Sequence, residues 1–211
     1  MPDYPLDMFN IPCNEIADLD AVPLALAIRS RAVSCREVMQ AALERIDNWN
    51  PIVNAIVSRP EPEILLQEAD LRDTQLARGD YLGPLHGFPQ APKDLAAMVD
   101  LPTSMGSPLL RQKNAGHDAI FVERLRASGA IFVGRSNTPE FGLGSNTFNQ
   151  VHGITRNAYV PAMTAGGSSG GAAVALATRM LPVADGSDMM GSLRNPAAFN
   201  NVFGFRPSMG M

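Results

Sequence analysis

Residues 117–134, HDAIFVERLRASGAIFVG, constrain the fold more than any other stretch. The spacing predicts a helix from Asp118 to Ser128, ended by Gly129, and then a strand from Ala130 to Gly134. A strand with one wet face alternates apolar and polar residues. This one is apolar throughout up to its closing glycine, the pattern of a strand buried on both faces. A helix feeding such a strand implies helices above and below a sheet. The expected fold class is therefore α/β, with helices packed on a mixed, largely buried β-sheet.

The flanking chain divides into three parts. Residues 1–14, dense in proline and acidic side chains, predict an irregular arm. Residues 15–80 predict mainly helix. Ile16 to Ile28 carries apolar residues at helical spacing, disturbed by Pro23. Ser34 and Glu37 form a capping box ahead of the Val38, Ala41, Leu43 and Ile46 face, and Asn50-Pro51 is expected to stop that helix. Val53 to Val57 reads as a short strand or a turn of buried chain. Pro62 to Arg78 reads as another helix, closed by Gly79. Residues 81–211 predict the sheet core. YLGPLHGFPQAPKDLAAMVDLPTSMGS is rich in Pro and Gly yet apolar, which reads as a strand and loop pressed on a core. Gly171 to Met180 predicts a helix, and LPVADGSD a buried strand with a polar mouth.

The 211 residues are 45% hydrophobic and 18% charged, which argues against a disordered chain. The net charge of -4 offers no broad basic surface, so nucleic acid is not an expected partner. No apolar run is long enough for a membrane span, and the first residues lack the pattern of a secretory signal. Cys13 and Cys35, with His86, His117 and His152, show no metal-site spacing. Neither a metal nor another cofactor is expected, and a reduced, cytoplasmic setting fits two unpaired cysteines.

TAGGSSGGAAVALAT, from Thr164 to Thr178, carries the chemistry question. A flexible linker would be flanked by polar chain, whereas this stretch opens an apolar helix. A nucleotide-binding P-loop needs Lys and Ser/Thr after its last glycine, and here Ala172 and Ala173 follow. Gly167, Ser169 and Gly171 fit a nucleophile elbow, but the preceding NAYVPAMTA is a poor strand and no histidine follows His152. A serine at a rigid glycine corner still needs a base. Lys93, inside the apolar GFPQAPKDLA, is a candidate, because burial disfavours a charged amine. A lysine snorkelling out to the surface fits the same residues.

Four blocks together resemble the amidase signature family, serine hydrolases with a Ser–cis-Ser–Lys triad. They are PLHGFPQAPKDLAAMVDLPTSMGS, GRSNTPEFGLGSNTFNQVHGITRN, TAGGSSGGAAVALAT and ADGSDMMGSLRNPAAFNNVFGFRPS, in that order. The resemblance implies Lys93 as base, Ser168 as the cis-serine bridge and Ser192 as nucleophile. It implies an oxyanion hole from the backbone of Met189, Met190 and Gly191, with Ser169, Asp188 and Arg194 in support. The implied activity is hydrolysis of non-peptide carboxamide C–N bonds in a small-molecule amide through an acyl-enzyme. Two other readings are a glutamine-dependent amidotransferase subunit that releases ammonia, and a truncated remnant without catalysis.

Two departures from the family pattern stand out. Met190 occupies a position where the family usually has glycine. A positive φ there would strain methionine, and its side chain is expected to line or narrow the acyl pocket. Family members are also roughly twice as long. The chain is accordingly expected to be the N-terminal part of an amidase, with a complementing C-terminal half or a homo-oligomer as candidate partners.

Overall fold

The computed structural model describes residues 16–208 and residue 210; the expected arm and Cys13 lie outside the described residues. Helix α1 spans Ala21–Arg29, not Ile16 onward. Pro23 therefore sits in its first turn, where a missing N–H breaks no helical bond. Helix α2 spans Cys35–Val53 and opens on the expected capping box. Ser34 Oγ accepts the Glu37 N–H at 3.1 Å, and the Glu37 carboxylate accepts the Ser34 N–H at 2.8 Å.

Asn50-Pro51 does not stop α2. Pro51 lies inside the last turn, and the helix ends at Asn54 in the left-handed conformation (φ 51°). The Asn50 side chain instead turns the chain, taking the N–H groups of Ala55 and Ile56 at 2.8 Å each. This leads into β1, Ile56–Val57. Helix α3 spans Pro62–Ala77 and packs against α2. Its proline at the first position suits a helix start.

The sheet is more broken than the apolar runs suggest. Strand β2 (Pro89–Gln90) pairs in parallel with β3 (Ile131–Phe132). Strand β4 (Arg135–Ser136) pairs antiparallel with β1. Strands β5 (Phe148–Asn149) and β6 (Gly153–Ile154) form a third, more exposed pair. Helix α4 (Ile120–Ala127) precedes β3, and Gly129 between them turns the chain with a left-handed φ of 90°. Residues 130–134 are buried throughout. The fold is α/β, with mixed parallel and antiparallel pairing.

Residues 181–188 form no strand. Among the described residues no strand runs beside them, so side chains tether them instead. Gln90 Nε2 donates to the Val183 carbonyl at 2.8 Å, and the Lys93 N–H donates to the Asp185 carboxylate at 3.2 Å. Helices α5 (Gly170–Ala177) and α6 (Arg194–Phe199) complete the order. The main core joins Met39, Ile46 and Val53 of α2 to Ile131, Val133 and Val174. A smaller cluster gathers Met98, Val122 and Phe132. Among the described residues no helix is long and apolar enough to cross a membrane.

Candidate active site

The site is assembled where β2, β4 and the start of α5 meet. Lys93 follows β2 and bridges to Ser136 of β4. Arg135, fully buried, donates to the carbonyls of Lys93 and Ala96 and so clamps the turn that carries the lysine. The Arg135 Nε lies 3.6 Å from Asp94, with both side chains buried, which supplies the counter-charge that a buried guanidinium requires. Burial pushes the Arg135 pKa down, and the neighbouring Asp94 opposes this.

The Lys93 side chain is 2% exposed, so the outward-snorkelling arrangement is not adopted. Its Nζ donates to Ser168 Oγ at 2.7 Å, Ser169 Oγ at 2.9 Å and Ser187 Oγ at 2.9 Å. Desolvation lowers its pKa from 10.5 to about 8, against the pull of Asp185 and Asp188, which favour the ammonium. Burial in turn raises the pKa of Asp185, partly offset by the Lys93 N–H that it accepts. An amine in this setting loses its proton far more readily than a surface lysine.

The glycine-serine stretch is a rigid corner. The Gly167–Ser168 peptide is cis. A Cβ on Gly171 would collide with the backbone of Asn137 and Ala55, so only glycine lets α5 start against β4. Ser169 occupies the position ahead of α5 without a side-chain capping bond, and its N–H donates to the Ser192 carbonyl at 2.9 Å. That bond docks the loop 188–192 onto the corner.

Asp188 organises this loop. Its carboxylate accepts the Gly191 N–H at 2.7 Å, the Arg194 N–H at 3.2 Å and a two-pronged contact from the Arg194 guanidinium at 2.8 and 3.1 Å. The Arg194 hydrogen bonds, joined by the backbone donors, hold its pKa well below the usual carboxylate range. Arg206 adds a bond to the Asp188 carbonyl at 3.1 Å.

The residues singled out in the sequence fall into two groups. Lys93, Ser168 and Ser169 meet directly; Asp188, Gly191 and Arg194 form the second group, joined to the first through Ser169 and Ser192. The Ser192 hydroxyl has no hydrogen-bond partner among the described residues. The Gly191 N–H donates to Asp188 at 2.7 Å in this arrangement, so an oxyanion there would compete with that bond. The Met189 and Met190 N–H groups have no partner among the described residues. The Met190 φ is not positive; that geometry falls on Gly191 (φ 105°), so the expected strain at Met190 does not arise. Its side chain is 87% exposed and does not line an enclosed pocket here.

Sequence reasoning missed Ser187, Asp185, Arg135 and Asp94. Ser187 and Asp185 lie in the same ADGSDMMGS block as Asp188, so proximity to the expected nucleophile, Ser192, was the available signal. Arg135 directly follows an apolar strand, a position where a charge demands a buried partner. His86 is structural: it accepts from the Leu82 N–H and lies 2.9 Å from the Arg72 carbonyl. Among the described residues no group of three or more His, Cys, Asp and Glu is placed to hold a metal.

Residues 37–211 match the amidase family model, and the chain belongs to that family. It is 40% identical to an acylamidase of Rhodococcus erythropolis over 92% of this chain and 40% of that protein. It is also 40% identical to a glutamyl-tRNA(Gln) amidotransferase subunit of Methylococcus capsulatus, over 89% of this chain and 38% of that protein. The crystal structure of a bacterial aryl acylamidase of the amidase signature family superposes with a TM-score of 0.84 at 32% identity, covering 91% of this chain and 40% of that one. The chain thus spans about 40% of the length of the relatives it matches.

Proposed function

We propose that the chain carries the catalytic part of an amide hydrolase that cleaves non-peptide carboxamide C–N bonds. The observation that carries this reading is the buried amine of Lys93, 2.7 Å from Ser168 Oγ at a pKa of about 8. Neutral Lys93 takes the Ser168 proton as Ser168 takes the Ser192 proton. Ser192 Oγ bonds to the carbonyl carbon, and the C–N bond breaks as the nitrogen receives a proton back through Ser168. Water then opens the Ser192 ester by the same relay in reverse. The Ser168–Ser192 contact closes when substrate is bound, as catalytic hydrogen bonds commonly tighten only in the complex.

The Met189 and Met190 N–H groups are the proposed oxyanion donors, each worth about 3 kcal/mol of transition-state stabilisation. Asp188 and Arg194 keep the loop in shape. The substrate is a small-molecule amide. The exposed Phe203 and Phe205 are assigned to contact with the part of the relatives' length that the match leaves uncovered, whether in one polypeptide or as a complementing chain.

The equal identity to an amidotransferase favours one second reading, in which the same relay releases ammonia from glutamine for a partner. Ammonia transfer that requires the partner would select it.

The test is covalent. A serine-reactive fluorophosphonate should give one adduct on Ser192 by intact mass, absent in Lys93→Ala. Its rate should climb with pH and reach half its maximum near pH 8, because Lys93 must first lose its proton. An adduct that forms equally in Lys93→Ala would remove the lysine from the mechanism.

A further inference from the structure

The Lys93 amine has two contacts that the relay does not use, Ser169 and Ser187. Ser187 Oγ lies 2.9 Å from Nζ, as close as Ser169 Oγ. The three hydroxyls differ in their access to water. Ser168 and Ser169 are 1% and 2% exposed, whereas Ser187 is exposed. An open cleft of about 480 Å³ is bordered by Lys93, Asp185 and Ser187 together. Lys93 is itself 2% exposed, so of the pair it is Ser187 that presents its surface to water at this cleft.

The three hydroxyls can accept all three protons of an ammonium, so the charged form is fully hydrogen-bonded. Before a neutral amine can receive a proton from Ser168, one proton must leave. The path through Ser168 leads to Ser192 and the substrate, so it cannot also serve as the outlet.

We infer that Ser187 is the proton port of Lys93, a positioning residue that holds one amine proton and hands it to water in the cleft. In this step a Lys93 N–H bond breaks and Ser187 Oγ takes the proton, while the hydroxyl proton of Ser187 passes to water. One proton has then moved from Lys93 to water, and Ser187 is again a neutral hydroxyl. The Ser187 N–H, bonded to Ser169 Oγ at 3.2 Å, fixes the port. The charged groups facing the lysine are Asp185 and Asp188 on the loop side, and Arg135 with Asp94 beneath its backbone. The catalytic consequence rests on Lys93 acting as the base; the exchange itself is measurable without turnover.

Lysine occurs only at positions 93 and 113, so lysine labelled with ¹³C and ¹⁵N gives two side-chain signals in the whole chain. The exposed Lys113 is an internal reference. In Ser187→Val, exchange of the Lys93 Nζ protons with water should slow roughly tenfold and its titration midpoint should fall, the scale set by one hydrogen bond to a charged group. Ser187→Thr has the same shape with the hydroxyl restored and should keep both values. Lys113 should not change in either. Unaltered exchange in Ser187→Val would overturn the inference and point to Ser169, which borders the larger cleft beside α5. Slowing that Ser187→Thr also shows would overturn it too, because shape and not the hydroxyl would be responsible. Failure of Ser192 to label in the same sample would count against the hydrolase reading and leave the exchange result standing.

Discussion

The helical region of residues 21–77 and the loop region of residues 181–208 hold their shapes by different physics. In the first, Met39, Ile46 and Val53 are fully buried, and α2 and α3 pack together over them. Burial of apolar area is non-directional and accumulates over many contacts, so such a region tolerates small errors. In the second, Met189, Met190 and Phe203 are between 87% and 89% exposed. Shape in the loop 188–194 depends largely on one carboxylate, Asp188, and the donors converging on it. Hydrogen bonds of this kind are directional, and removing the shared acceptor frees every donor at once. The loop that carries the proposed nucleophile Ser192 thus leans on a few directional bonds, while Lys93 and Ser168 sit buried against the sheet and α5.

The largest effect should come from breaking the helical side. Ile46→Ala should cost about 2–5 kcal/mol in urea unfolding, the usual result for a fully buried aliphatic residue. A loss under about 0.5 kcal/mol, the scale of an ordinary surface substitution, would mean that this core does not limit stability.

Next is Asp188→Ala, which should leave the helical region folded and disable the loop. Fluorophosphonate labelling of Ser192 should fall about a hundredfold, while slow hydrogen exchange in α2 is retained. Equal loss of protection in both regions would erase the contrast. The pH dependence has a fixed sign. Because the folded Asp188 pKa is depressed, its contribution is complete above the ordinary carboxylate range and is lost as pH falls below it. Loop protection should therefore fade in acid before α2 does.

The smallest effect sharpens the comparison from the helical side. Ser34→Ala removes half of the capping box and should cost about 1 kcal/mol without altering the labelling rate. A changed rate would show that the two regions are coupled more tightly than their contacts suggest.

Local rules made much of the helical region legible. The capping box of Ser34 and Glu37, the proline that opens α3, and the glycine after α4 each act within a few residues, so the sequence alone displays them. The Asn50-Pro51 reading failed because the deciding group was the Asn50 side chain, reaching five and six residues ahead to Ala55 and Ile56. The strand expected at residues 181–188 failed for a related reason. An extended segment becomes a strand only when a neighbour supplies its ladder, and among the described residues none does.

The sequence by itself determined the family, the α/β class and the residue types offered for catalysis: a lysine in apolar chain, serines among glycines, and an Asp–Arg pair beside a third serine. Only the tertiary structure decided how these meet. It brought Ser187 onto the lysine across 94 residues of chain. It also turned the Gly191 N–H to Asp188 and buried Arg135 beneath the Lys93 turn. Spacing cannot encode such outcomes. The pKa of an amine depends on how much water and which charges surround it, and those are set by chain segments that meet only on folding.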